Sequence, residues 1–169
     1  DDQDYDYNDA DAYRKQEADS YIASINAGNE DEWLAVIDRC AQTESSDLAT
    51  FPVFGQFISN LSRRHPQIAE RFVAKASERL LLFLAGFLDG LALSGNTEVY
   101  HRVRESELQS ARNLAGIARH LRYSEVSDPR FLSRVLASGI TLIQPVTVIE
   151  CLLLALEPYG SDRSANPDS

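Results

Sequence analysis

Apolar residues recur at helical spacing through the middle of this chain, and almost nowhere do they alternate as a strand would. In residues 10–26, Ala18, Tyr21, Ile22 and Ile25 share one face, and Gly28 follows as a stop signal. Asn29 is placed to cap a second helix opening on Glu30, Asp31 and Glu32, acids that complement a helix dipole. Trp33, Val36, Ile37, Cys40 and Ala41 form its stripe, and a polar linker, residues 42–46, comes next. Phe54, Phe57, Ile58 and Leu61 again fit i, i+3, i+4 and i+7. Pro66 stands at a first helical position before Ile68, Ala69, Phe72, Val73 and Ala76.

Residues 78–93 read as one helix of a different kind. The block 80–88 (LLLFLAGFL) is apolar throughout, so the helix has no polar face and must be covered on nearly all sides. Its Gly86 and Gly90 would let a neighbouring helix backbone come close. Further helices carry Val99, Tyr100 and Val103 after an Asn96 cap, then Leu114, Ile117, Ala118 and Leu121. Asp128 and Pro129 start a helix with Phe131, Leu132, Val135 and Leu136, and Pro145 starts the last one. Only residues 138–144 (SGITLIQ) have strand-like chemistry, and they read as a connector. The pattern predicts an all-α chain of about nine helices joined by short turns, which places successive helices antiparallel and adjacent.

Composition bounds this picture. No Leu, Ile, Val or Phe precedes Ile22 or follows Leu156, so 1–9 reads as an acidic tail or linker. On the same ground 10–157 reads as one helical domain, and 158–169 as a polar tail or linker. With no methionine, the chain reads as a piece of a longer protein. The net charge of −10 is concentrated in residues 1–50, which hold 14 acids and three bases. That argues against wholesale binding of nucleic acid or anionic membrane but leaves room for a local basic face. The apolar run 80–93 is 14 residues long and broken by Asp89, too short for a span of about 20. Cys40 and Cys151 lie far apart on apolar stripes and read as buried free thiols in a reducing, cytoplasmic setting.

A faint internal repeat points to stacking. Residues 57–62 align with 117–122 at an offset of 60, and the helix after His65 and Pro66 aligns with that after Asp128 and Pro129 at 63. Arg71 then falls on Arg134. Over residues 50–157 the proline-started helices HPQIAERFVA and DPRFLSRVLA alternate with apolar partners such as RLLLFLAGFL. In this the chain resembles the HEAT and armadillo class of α-solenoid repeats. The resemblance implies antiparallel helix pairs stacked as a short α-solenoid; the loop insertion and uneven helix lengths leave an irregular helical bundle open. It implies a scaffold or recognition surface and carries over no functional residue.

Candidate chemistry is sparse. The run DDQDYDYNDADAY fails as a calcium loop, since Asp9 and Lys15 stand where glycine and a bidentate glutamate belong. His65, His101 and His120 lack metal-ligand spacing and read as surface residues. No nucleophile elbow, phosphate loop or dinucleotide fingerprint is present. Glu105 and Glu107 point to different helix faces. No catalytic, metal or cofactor residue is assigned, and an enzyme is not expected. The remaining candidate is an arginine stripe of Arg112, Arg119 and Arg122 on the helix after Ser110, flanked by Arg102, Arg104, Arg130 and Arg134. It would sit at the rim of a partner-binding surface, with a protein partner or another part of the same chain as ligand. The alternatives are nucleic-acid backbone contacts through that stripe, or a helical enzyme whose site is not readable from sequence.

Overall fold

The computed structural model describes residues 7–43, 50–124 and 128–160. Ten helices follow one another: α1 (Tyr7–Ser24), α2 (Glu30–Ala41), α3 (Thr50–Arg64), α4 (Pro66–Lys75), α5 (Glu78–Leu81), α6 (Leu84–Leu93), α7 (Thr97–Ser110), α8 (Leu114–Tyr123), α9 (Pro129–Thr141) and α10 (Pro145–Gly160). The described residues contain no strand, so the fold is all-α. The boundaries expected at 9/10 and 157/158 fall inside α1 and α10. Residues 1–6 of the acidic run rejected as a calcium loop, including Asp2, Asp4 and Asp6, lie outside the described residues.

Helix starts follow their local chemistry. Asn96 Oδ1 accepts from the Val99 amide and Asp128 Oδ1 from the Phe131 amide, each satisfying an orphan donor of the first turn. Pro66 and Pro129 occupy first-turn positions of α4 and α9. Asn29 departs from expectation. Its side chain makes no cap bond to α2 and turns back instead, accepting from the Asn26 amide and donating to the Ser24 carbonyl. It therefore seals the end of α1.

The helix expected over 78–93 is broken at Leu82 and Phe83, which is why ten helices appear where about nine were expected. At the break the Leu82 and Phe83 amides bond to Arg79 and Leu80, three residues back. Asn113 Nδ2 donates to the Leu81 carbonyl at 2.5 Å, while its Oδ1 accepts from the Gly116 amide and caps α8. An inserted side chain of this kind is a recognised cause of a helix break. Phe83 then turns its ring edge-on to Phe54 at 4.7 Å. The expected connector 138–144 is also revised: Ser138 to Thr141 extend α9, leaving three residues to turn the chain.

The helix pairs pack in two layers, an arrangement compatible with a helical repeat. One layer runs α1, α3, α6, α8, α10, each against the next. The other runs α2, α4, α7, α9 and is laced by arginine forks. Arg71 on α4 grips Glu30 on α2, Arg102 on α7 grips Glu70 on α4, and Arg134 on α9 grips Glu105 on α7. Hydrogen bonds from these guanidinium groups hold the three carboxyls below the usual carboxylate range. Arg71 and Arg134, which align at an offset of 63, thus perform the same task two steps apart in this layer, with Arg102 between them.

Between the layers lies one continuous core, from Ile22 to Cys151. Leu84 and Phe87 are wholly buried, as an apolar helix in mid-stack requires. Two glycines let α3 and α6 come close. A Cβ built on Gly90 would lie 2.0 Å from the Ser59 carbonyl oxygen, and one on Gly86 3.1 Å from that of Gly55. No helix among the described residues is long and apolar enough to cross a membrane.

Candidate functional site

The arginines singled out as a stripe are each engaged within the chain. Arg112 does not lie on α8: α7 ends at Ser110, Ala111 takes the left-handed conformation, and α8 begins at Leu114. From that turn its guanidinium reaches back to the buried Glu107 carboxylate and donates to the Val73 carbonyl at 2.9 Å. Arg119 and Arg122 do share α8, and both meet Glu150 on α10, at 2.9 and 3.5 Å. The structure therefore brings Arg119 and Arg122 together and sends Arg112 elsewhere. Glu150 was the missing partner, and no sequence spacing links residues 28 to 31 apart on different helices.

The histidines divide three ways. His101 is exposed, as expected. His65 is half-buried, with Nε2 at 2.9 Å from the Ile22 carbonyl. His120, expected at the surface, is 2% exposed. Its Nδ1 lies 2.5 Å from Asp89 Oδ1 on α6, and its Nε2 lies 2.8 Å from the Tyr100 hydroxyl on α7. A carboxylate can only accept, so Nδ1 carries a proton, and Nε2 of a neutral ring accepts from the phenol. Burial pushes the Tyr100 phenol above its ordinary value, which keeps it a donor at neutral pH. Arg104, stacked over the Phe131 ring at 4.2 Å and paired with Asp128, partly opposes that shift.

A carboxylate, imidazole and hydroxyl in series can activate a nucleophile. Here both ring nitrogens are engaged by protein groups and the ring is sealed, so the chain of bonds acts as a tie between α6, α7 and α8. The signal was present: His120 sits beside Ile117 and Leu121 on the stripe of α8, and Asp89 is the one charge in the block of α6. The described residues hold no group of three or more His, Cys, Asp or Glu arranged for a metal.

The two thiols also differ. Cys40, expected buried, is exposed, because α2 presses a narrower strip on its neighbours than its apolar stripe is wide. Cys151 is buried against the stack, and burial pushes its thiol up to about 11. Both are free.

Among the described residues, exposed large hydrophobics cluster on the opposite side of the Cys151 helix. Thr147 and Cys151 of α10 turn inward, where the helix packs on α8 and α9. Val146, Ile149, Leu152, Leu153 and Leu156 point outward, each 40–61% exposed. The end of α9 adds Ile140, and the turn after it Leu142 and Ile143; Ile143, at φ +54, is 86% exposed. A contiguous aliphatic face of this kind marks an interaction surface more often than scattered single residues do. The sequence pattern gives α10 a proline start but does not separate its inward from its outward aliphatic residues. Set against family models, curated proteins and solved structures, this chain matches none of them.

Proposed function

We propose that this chain is a non-enzymatic helical-repeat interaction domain of the HEAT or armadillo kind. It binds a protein surface through the aliphatic face of α10. The observation that carries this reading is that uncovered face, on the side of α10 away from α8 and α9. In stacked repeats an end helix needs a polar outer side, or something must cover it. α10 lacks the polar side.

The nucleic-acid reading draws less support, because Arg112, Arg119 and Arg122 each already hold a carboxylate of the same chain. Catalysis draws none from the sealed His120 ring. Two free thiols suit a reducing, cytoplasmic setting.

The test is affinity capture from native lysate, with and without nuclease, using the wild type and Ile149→Glu. A protein should be retained after nuclease treatment and lost with the variant. Loss of the captured material on nuclease treatment, or equal capture by the variant, would refute the reading.

A further inference from the structure

We infer that the occupant of the α10 face is a second copy of this chain, docked antiparallel about a two-fold axis that crosses the outward side of α10 at the level of residue 151. The inference rests on the interaction-domain reading above and names its partner.

Four of the outward residues, Val146, Ile149, Leu153 and Leu156, are spaced three, four and three apart. That is the a/d seam by which one helix packs along another. The seam is symmetric about residue 151. Laid antiparallel on itself, it sets Ile149 opposite Leu153 of the second copy and Val146 opposite Leu156, with both pairs repeated by the axis. A two-fold contact demands this self-complementarity, and it closes the assembly at two copies, where a head-to-tail contact would grow.

Chemistry narrows the occupant further. Glu150 is the only charged side chain described on α10, and Arg119 and Arg122 already occupy it. A charged partner would find nothing to read, whereas homodimer interfaces are the more apolar kind. The 11-residue seam is about 16 Å long, short for the roughly 800 Å² per partner of a stable pair. Leu142 and Ile143 lengthen it, lying where each copy would meet the far end of the other's α10.

The experiment measures the mass of the full chain in solution by sedimentation, from micromolar concentration to the highest attainable. Wild type should weigh twice 18.8 kDa. Ile149→Glu alone and Leu153→Lys alone should each be monomeric, with an unchanged helical circular dichroism spectrum. Mixed in equal amounts they should pair again, because the two substituted positions face each other across the axis. A monomeric wild type would overturn the inference without recourse to any variant, as would folded variants that dimerise alone or fail to pair when mixed. An apolar fluorescent dye separates the two readings. A monomer whose dye binding is abolished by Ile149→Glu overturns the second copy and leaves the interaction face standing. A monomer whose dye binding is unaffected refutes both.

Discussion

α6 and α10 are the two most apolar of the long helices, yet they occupy opposite situations. α6 lies in mid-stack, with α3, α4, α7 and α8 around it, and buries Leu84, Phe87, Leu88, Gly90 and Leu91. α10 has α8 and α9 on one side and leaves a seam of aliphatic side chains on the other. The same composition therefore serves as core in one place and as an open face in the other. Apolarity states how much surface must be covered; position in the stack decides what covers it.

The sharpest test truncates both helices. Phe87→Ala should cost about 3–5 kcal/mol and Leu84→Ala about 2–5, because each leaves a cavity in a packed centre. Leu153→Ala in α10, measured on dilute protein, should stay within about 0.5 kcal/mol, as for ordinary surface positions. Thermal or denaturant unfolding reads all three. Equal losses at Leu153 and Leu84 would erase the distinction between the two helices.

Next come the glycines that set helix separation. Gly90→Ala drives a methyl into the Ser59 carbonyl, rigid backbone of α3, and should cost about 1–3 kcal/mol or more. Gly139→Ala on α9 meets the Thr147 side chain of α10 at 2.9 Å, which has more room to shift, and should cost less. If Gly139→Ala proved the more damaging, the α9–α10 end would be the tighter of the two.

Cys151 reports whether α10 stays seated. A thiol reagent at neutral pH should modify Cys40 quickly and Cys151 only on unfolding. The sign for pH follows from the raised value: burial favours the neutral thiol in the folded chain. That contribution is complete below the unfolded pKa near 9 and is lost as pH rises through about 11. Cys151→Ala should flatten this alkaline decline. Rapid modification of Cys151 in the native chain would mean that α10 lifts from α8.

The smallest effect is expected at Glu150→Gln, which weakens the link from α10 to Arg119 and Arg122. Since Arg119 is nearly half exposed, the loss should be about 0–1 kcal/mol and should shrink with added salt. A larger loss would make this pair, instead of the apolar contact, the clasp that holds α10.

Local chemistry was readable wherever a residue acts on its own neighbours. Pro66, Asn96 and Asp128 mark helix starts because the bonds or dihedrals they settle lie within a few positions. The block 80–88 is apolar throughout and mostly covered, but Leu82, at the break between α5 and α6, departs from that expectation and is 59% exposed. Asn29 misled because two helix ends compete for one side chain, and sequence does not say which wins.

What only the tertiary structure decided are the meetings between distant residues. Asn113 breaks the long helix by bonding to Leu81, Asp89 and Tyr100 claim His120, and Glu150 claims Arg119 and Arg122. Each joins different helices, where partners are chosen by the packing of whole layers. The sequence by itself determined that this chain is helical and where many of its helices start and stop, because spacing and capping act within a turn or two. Only the stack decided that α6 is enclosed while α10, almost as apolar, keeps one face open, because coverage depends on which helices come to lie on either side.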